Sequence, residues 1–386
     1  MNAPSLKAHF SRFLGAAKQR LHFAAHSHHP WPDASFAGHE QAWLDAARWA
    51  DLKWDRVFGE LIPRAQAHVA RVLALPDPST IAFAPNTHEL VMRLLSCLPR
   101  PPRVLTTDGE FHSFSRQLQR LEEDGAARVT RVAVEPHGDF PARFAEAAAR
   151  GGHDLVYLSQ VFYNSGYAPP DLHALVAAVR NEATVVVVDG YHGFMALPTD
   201  LSALANRAFY VAGGYKYAMA GEGACFMHCP PAYAARPPDT GWFASFGTLT
   251  QAHAGTVPYA AGGGRFLGAT FDPTALYRLV AVQDWLQSIG LDVARIRAHV
   301  LALQRRFLHQ RERAGPLRDL PLALADDAAR GNFLVFRDAG AQALHDRLLE
   351  AGILVDCRAD RLRVGFGIHQ DPADIDEFFR RIVKLP

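Results

Sequence analysis

The 386-residue sequence predicts an α/β protein, with a mainly parallel sheet in a large domain and a smaller α+β domain at the C-terminal end. Between residues 81 and 212, short apolar runs alternate with stretches of helical periodicity, as in parallel strands joined by crossover helices. After residue 275, two long helical stretches are followed by short strands and single helices. The chain is also too long for one ordinary hydrophobic core, which favours two domains.

The predicted elements divide the chain into an N-terminal arm with helices over 1–60, a large domain over 61–275 and a small domain over 276–386. In the first part of the chain, an amphipathic lead-in precedes helices predicted over 36–57 and 61–73. The large domain is predicted to hold helices at 90–98, 114–123, 141–150 and 172–181, and strands at 81–83, 104–106, 129–134, 155–158, 185–188 and 209–212. The small domain is predicted to hold helices at 276–289, 293–314, 341–351 and 372–384, and strands at 333–336, 353–355 and 362–364.

The composition narrows the class of protein. Hydrophobic residues make up 49% and charged residues 20%, as in a soluble globular protein. A net charge of +1 argues against nucleic-acid binding, which needs a surplus of clustered basic residues. Cys225 and Cys229 lack a second pair of ligands, so we expect reduced thiols and no metal site. No signal peptide and no membrane-spanning stretch is predicted, which favours a cytoplasmic protein.

The segment 185–228 holds the main candidate site. Four valines lead to Asp189, and Lys216 follows in a glycine-rich loop between Tyr215 and Tyr217. A lysine amine can form a Schiff base with the aldehyde of pyridoxal 5′-phosphate (PLP), and a carboxylate can keep the pyridine nitrogen protonated. The plainer alternatives are a surface lysine and a strand-terminal aspartate that caps a turn. The crowding of glycines favours the PLP site, because glycine permits close approach to a bulky cofactor. His192 is then expected near the ring or the phosphate, although a lone histidine is also common in a core.

Two further candidates follow predicted strands. Asn86, with Glu89 three positions later, marks the start of a helix, whose free N–H groups together with the Thr87 hydroxyl can bind a phosphate. A capping box without a ligand is the alternative. Phe111 follows the second strand and is the candidate for stacking on the pyridine ring, although phenylalanine is usually a core residue. Both stretches therefore extend the PLP hypothesis.

Candidates for contact with the substrate lie near the two ends of the chain. Arg363 stands among apolar residues of a predicted strand, and its guanidinium can bind a substrate carboxylate. A structural ion pair with Asp356 or Asp360 is the alternative. The loop 22–32 is rich in histidine, and His26 and His28 are the candidates there to contact or gate the substrate. A metal-binding role or a plain polar loop are the alternatives for this loop.

These motifs resemble the fold-type I PLP enzymes of the class V aminotransferase group and, within it, kynureninase. The resemblance covers most of residues 80–370 and is densest at Tyr215-Lys216-Tyr217 and Ala220-Gly221-Glu222-Gly223. It implies a seven-stranded, mainly parallel sheet, a homodimer with shared active sites, and PLP as the cofactor. Asp189 and His192 match that family's D-x-x-H, Thr87 and Tyr215 match its phosphate contacts, and Phe111 matches its stacking ring.

The resemblance extends to two segments further along the chain. Gly241-Trp242-Phe243 resembles a G-W-F segment whose Trp reaches the phosphate of the partner subunit, and Thr270 lies where a second such ligand is expected. Asp356, Arg358 and Arg363 follow a D-x-R…R-V pattern whose last arginine binds the substrate carboxylate. The sequence departs from the family in the N-terminal loop, where Ala25-His26-Ser27-His28-His29-Pro30 replaces G-N-S-L-G, and at Phe114, which replaces an acidic residue.

The reaction suggested by these motifs is that of a kynureninase-like hydrolase, which cleaves the β–γ C–C bond of a kynurenine-like 3-acyl-alanine. A class V aminotransferase or a related PLP lyase is the alternative, and a catalytically silent PLP-fold binding protein is a third reading. Cys357 lies only six positions before Arg363, which leaves no room for the long catalytic-cysteine loop of a cysteine desulfurase. The lysine-loop, G-W-F and arginine motifs together favour hydrolysis of a small amino-acid substrate.

Overall fold

The computed structural model describes residues 5–248, 255–312 and 315–383. The predicted helix ends at residues 314 and 384 lie outside these ranges. The strands are β1 (Leu21–His22), β2 (Ile81–Ala84), β3 (Arg103–Thr107), β4 (Arg128–Val132), β5 (Leu155–Ser159), β6 (Val185–Asp189), β7 (Ala208–Ala212), β8 (Cys225–His228), β9 (Phe333–Arg337), β10 (Ile353–Leu354), β11 (Asp356–Arg358) and β12 (Arg361–Gly365). The α-helices are α1 (Ser11–Gly15), α2 (Asp33–Trp49), α3 (Lys53–Arg56), α4 (Ile62–Val72), α5 (Thr87–Ser96), α6 (His112–Glu123), α7 (Phe140–Ala149), α8 (Leu172–Ala177), α9 (Thr274–Ser288), α10 (Val293–Arg311), α11 (Ala341–Glu350) and α12 (Pro372–Ile382).

Seven strands form the large sheet in the spatial order β2-β8-β7-β6-β5-β3-β4. Only β8 runs antiparallel to its neighbours β7 and β2, and the remaining pairs are parallel. The predicted α/β fold with a mainly parallel seven-stranded sheet is confirmed. β8 is not among the predicted strands, because its residues Cys-Phe-Met-His have little β-branched character.

The centre of the sheet positions the candidate site. β6 lies between β5 and β7, and its four valines are buried because both faces of the sheet are covered. In this register Asp189 is aligned with Ser159 of β5 and Val211 of β7. The run of valines therefore delivers Asp189 to the carboxyl edge of the sheet, where ligands bind in folds of this class.

The predicted single helix over 36–57 is wrong in its second half. α2 ends at Trp49, and Ala50 has a φ of 48°, which lies outside the right-handed helical region. A short turn, α3 and a π-helical turn (Val57–Leu61) then lead into α4. α2 packs closely on α9, since a Cβ at Gly38 would lie only 2.6 Å from the carbonyl oxygen of Tyr277.

The C-terminal unit consists of the antiparallel sheet β11-β12-β9 with helices α10, α11 and α12. The start of the chain is joined to this unit, because β1 pairs in parallel with β10. From there the histidine-rich loop runs to the lysine loop, where the N–H of His29 donates to the carbonyl of Tyr215 at 3.2 Å. Within the described ranges, no helix is both long and apolar enough to cross a membrane.

Candidate active site

A pocket of about 480 Å³ lies at the carboxyl ends of β5 and β6. Glycines from the lysine loop pack against its walls: a Cβ at Gly213 would lie 2.2 Å from the Tyr191 hydroxyl. These close contacts are with protein side chains, so packing alone already explains this glycine. The predicted residues that line the pocket are Asn86, Thr87, Phe111, Asp189, His192, Tyr215 and Lys216.

Lys216 is buried within this pocket, with 4% of its surface exposed. Its Nζ atom lies 2.9 Å from Nε2 of His192 and 4.7 Å from the ring centroid of Tyr191. Burial lowers the pKa of Lys216 to about 7, the Asp189 carboxylate opposes this shift, and the positive charge of Arg363 adds to it. A large share of the amine is therefore neutral, and hence nucleophilic, at neutral pH.

Asp189 receives two hydrogen bonds that hold its carboxylate in place. The Tyr157 hydroxyl donates to Oδ2 at 2.8 Å, and the N–H of Tyr191 donates to Oδ1 at 2.9 Å. Burial raises the pKa of Asp189, while these two bonds and the charge of Lys216 lower it. The structure thus supplies donors that favour the ionised carboxylate inside the pocket.

His192 is buried beside Lys216 as a neutral imidazole. Burial lowers its pKa well below the usual value, and the charges of Lys216 and Arg363 lower it further. The backbone of His26 provides the opposing hydrogen bond. Its Nε2 atom can therefore accept a hydrogen bond from the lysine amine.

The N-terminus of α5 forms one wall of the pocket. The side chain of Asn86 accepts from the N–H of Glu89 at 2.9 Å, so this side chain is engaged as the helix cap. Thr87 begins the helix and is partly exposed to the pocket. Backbone N–H groups at such an end, together with the helix dipole, favour an anion such as a phosphate.

Phe111 presents an aromatic face close to the lysine. It immediately precedes α6, is 36% exposed and lies with its ring centroid 5.4 Å from the Lys216 amine. The ring of Tyr163 meets it edge-on at 5.4 Å. A flat ring attached to Lys216 would thus have an aromatic neighbour available for stacking.

Arg363 lies behind the pocket wall and does not line the cavity itself. It is 3% exposed, and its Nη1 atom donates to the carbonyl of Tyr163 at 2.6 Å. Nη2 forms an ion pair with the carboxylate of Asp356. The structural ion pair considered as the alternative for this arginine is therefore present, and Tyr163 connects it to the cavity.

The two histidine candidates occupy different places. His26 is fully buried, stacks on Phe333 at 4.6 Å and has Nε2 3.7 Å from the Asp356 carboxylate. His28 lies nearer the surface, with Nε2 3.2 Å from the carboxylate of Glu222, which lines the pocket. His26 thus lies beside Asp356, the ion-pair partner of Arg363, and His28 lies at the rim of the pocket.

Trp242 and Thr270 lie next to each other but outside the pocket of their own chain. The indole N–H of Trp242 donates to the Thr270 hydroxyl at 3.2 Å. Trp242 is 44% exposed, and neither residue lines the cavity. The pair is therefore available to contact a molecule outside this chain.

The sequence reasoning missed three residues around Asp189. Tyr157 donates to its carboxylate, and Glu110 accepts from Ser159 Oγ at 2.6 Å. Burial raises the pKa of Glu110 to about 8, so this carboxyl is largely protonated at neutral pH. The signal was present in the strand register, because Tyr157 and Ser159 belong to the strand next to β6.

The family model described as "Aminotransferase class-V" matches residues 53–378, which is most of the chain. The chain belongs to the class V aminotransferase family. Its cofactor is PLP, and the protein is a PLP-dependent enzyme of this family. The reading as a catalytically silent binding protein is therefore not supported.

Two curated relatives are named as cysteine desulfurases. A probable cysteine desulfurase of Vibrio cholerae serotype O1 is 24% identical over 246 residues, which are 62% of this chain and 59% of the relative. The cysteine desulfurase CsdA of Escherichia coli K12 is 24% identical over 161 residues, 39% of each protein. This chain thus spans about three fifths of the first relative and two fifths of the second.

Solved structures show the same fold over nearly the whole chain. The cystine C–S lyase C-DES, in complex with its reaction product cysteine persulfide, has a TM-score of 0.80 at 21% identity and covers 97% of this chain and 100% of its own. A cysteine desulfurase from Thermococcus onnurineus NA1 has a TM-score of 0.81 at 15% identity, with 98% of both chains covered. The predicted fold-type I architecture is confirmed, but the comparisons do not support the kynureninase-like specificity.

The residues present fit PLP on independent observations. Lys216 offers a buried amine with a lowered pKa, and Asp189 offers a carboxylate held by two donors. The first turn of α5 offers N–H groups for the phosphate, and Phe111 offers an aromatic face. When bound, PLP supplies the electron sink that stabilises negative charge at the substrate Cα.

Proposed function

We propose that this protein is a PLP-dependent lyase that breaks the carbon–sulfur bond of a cysteine-like amino acid by β-elimination, without a cysteine nucleophile. The observation that carries the proposal is the content of the pocket. It holds the low-pKa amine of Lys216 but no cysteine thiolate that could attack a substrate. A cysteine desulfurase reaction needs such a nucleophile, whereas β-elimination needs only a base and a leaving group.

All four cysteines lie within the described ranges, and none is suited to attack a substrate sulfur. Cys357 pairs with Leu362 in the β11–β12 hairpin and packs against the core of the C-terminal unit. Cys225 lines the pocket but is buried, and burial raises the pKa of its thiol to about 11. Cys97 and Cys229 do not line the pocket, and burial also raises the pKa of both thiols.

The proposal assigns roles to Arg363 and Lys216. The guanidinium of Arg363 is the proposed receiver of the substrate carboxylate, with Tyr163 between it and the cavity. The amine of Lys216 takes the proton from Cα, and the Cβ–S bond breaks with its electron pair leaving on sulfur. Addition of water then gives the thiol R–SH, pyruvate and ammonium from R–S–CH₂–CH(NH₃⁺)–COO⁻, so that atoms and charges balance.

The likeness to the cystine C–S lyase over its full length supports a lyase more than a hydrolase. The proposal includes a homodimer, because the Trp242–Thr270 pair does not line its own pocket, and the exposed Trp242 suits a phosphate contact across an interface. Light scattering on the purified protein tests the homodimer, and the mass of a monomer would contradict it.

The reaction is tested by the products formed with cystine, cysteine and kynurenine, each with and without a 2-oxo acid. Equal amounts of pyruvate and ammonium from cystine, without any 2-oxo acid, are expected. Alanine from cysteine would indicate desulfuration instead, alanine with an aryl acid from kynurenine would indicate hydrolysis, and a requirement for the 2-oxo acid would indicate transamination. Lys216→Ala should abolish both the product and the visible absorbance of lysine-bound PLP.

A further inference from the structure

Tyr157 reaches the carboxylate of Asp189 from the neighbouring strand. Its hydroxyl lies 2.8 Å from Oδ2, and only 2% of the residue is exposed. The phenol ring stacks on Phe114 of α6, with centroids 3.6 Å apart and planes inclined by 18°. Tyr157 is thus fixed both by a hydrogen bond at one end and by a ring contact along its face.

The carboxylate of Asp189 depends on this contact. Its other hydrogen bond comes from the backbone N–H of Tyr191, two residues further along the chain, which forms with the turn itself. Among the described residues, Tyr157 is therefore the only side chain that donates to Asp189. A buried carboxylate without such a donor takes up a proton at higher pH.

A second buried carboxyl lies close by but carries other contacts. Glu110 is 3% exposed and accepts from the hydroxyls of Thr107 and Ser159 at 2.7 Å and 2.6 Å. Its interaction with Asp189 is repulsive when both are charged. Because Glu110 has no cationic partner among its hydrogen bonds, the site favours one charged carboxylate, and Tyr157 donates to the one that lines the pocket.

We propose that Tyr157 is a positioning residue for the cofactor: its hydroxyl keeps the Asp189 carboxylate ionised and aimed into the pocket, while Phe114 holds the phenol ring. This inference rests on the assignment of Asp189 as the partner of the pyridine nitrogen, but it does not depend on which bond of the substrate is broken. It makes Tyr157 a determinant of how tightly, and over which pH range, PLP is held.

The test is PLP binding to the cofactor-stripped protein between pH 5 and 9, followed by the visible absorbance and by the dissociation constant. In Tyr157→Phe the ring and its stacking remain and only the hydroxyl is lost. The pH below which binding weakens is expected to rise by about one unit, equivalent to an about tenfold weaker affinity on the acid side. Phe114→Leu should move this pH in the same direction by less.

Tyr210→Phe is the matched control, because it also removes a buried hydroxyl from the sheet. That hydroxyl donates to Gln160 at 2.8 Å and not to Asp189, so the pH range of PLP binding should stay as in the unaltered protein. A binding curve of Tyr157→Phe that superimposes on the unaltered protein overturns the inference. Asp189→Asn separates the role of Asp189 from the role of Tyr157. Unchanged PLP binding in Asp189→Asn overturns the assignment of Asp189 as well. Weakened binding in Asp189→Asn together with unchanged binding in Tyr157→Phe overturns only the role of Tyr157.

Discussion

The amine of Lys216 lies 2.9 Å from Nε2 of His192, and both side chains are almost completely shielded from solvent. Two nitrogen groups at this distance cannot both carry a positive charge without a large electrostatic cost. Burial lowers the pKa of both groups, so the pair carries at most one positive charge near neutral pH. The lysine is thus available as a nucleophile for the cofactor and as a base for the substrate.

The attachment of PLP to Lys216 should therefore depend on pH with a midpoint near the lysine pKa of about 7. Only the neutral amine attacks the aldehyde, so the rate should rise about tenfold per pH unit below the midpoint and level off above it. Stopped-flow absorbance after mixing PLP with the cofactor-stripped protein measures this. A rate that continues to rise beyond pH 9 would show that the amine has an ordinary pKa.

Arg363→Lys should raise KM for the amino acid and lower kcat/KM by about 10- to 100-fold, because the forked guanidinium is replaced by a single point charge. The visible absorbance of bound PLP should persist, since Arg363 has no contact with the cofactor residues other than through charge. Steady-state kinetics and spectra of the same sample measure both effects.

Arg361→Lys is the matched control for this substitution. Arg361 lies on the same strand, two positions away, and pairs with Glu135 at 3.0 Å, outside the pocket. Its change should leave kcat/KM within about twofold of the unaltered protein. Equal losses in both variants would point to damage to β12 and not to a loss of substrate binding.

Cys357→Ala should retain activity within about twofold, because its thiol packs on the C-terminal core and takes no part in β-elimination. Product formation from cystine by the unaltered protein and the variant is compared at equal PLP content. Complete loss of activity in a correctly folded variant would identify Cys357 as a nucleophile and favour the desulfurase reaction over β-elimination.

The stability of the protein should fall as pH falls from about 6.5 towards 4, and His22 and His29 are two of the buried histidines that contribute to this fall. Burial lowers the pKa of His22 to about 3 and that of His29 to about 4. The unfolded chain takes up these protons first, so each histidine adds a slope of about 1.4 kcal/mol per pH unit, with stability rising as pH rises. Urea unfolding at pH 7, 6 and 5 measures the slope.

His22→Phe tests the assignment, because phenylalanine can keep the edge-on ring contact with His369 but cannot be protonated. The slope of the unfolding free energy between pH 6 and 5 should then decrease by about 1.4 kcal/mol per pH unit, whatever the absolute stability. An unchanged slope would mean that other groups cause the acid sensitivity.

Much of the site was predictable because it obeys local rules. A run of buried valines that ends in Asp189, and a lysine after the following strand, place both groups at one edge of a parallel sheet. Asn86 was found by its capping pattern, which the structure contains. In each case the information lies within a few residues of the side chain concerned.

The remainder depends on contacts between distant parts of the chain. Tyr157 looks like an ordinary core tyrosine until the register of β5 and β6 brings its hydroxyl to Asp189. Phe114 stands where the resembled family has an acidic residue, and its stacking on Tyr157 explains an aromatic ring at this position. His26 likewise reaches Asp356 across 330 residues of sequence, which no local pattern reveals.

The short pairing of Leu21–His22 with Ile353–Leu354 has a mechanical consequence. It fastens the beginning of the histidine loop to the same unit that carries Arg363, whereas Asp189 ends a strand of the large sheet and Lys216 lies in the loop between β7 and β8. A displacement of that unit relative to the large sheet would therefore move Arg363 and the beginning of the histidine loop together. Substrate preference can therefore change through residues of this unit and of the histidine loop, while the residues that hold the cofactor stay the same.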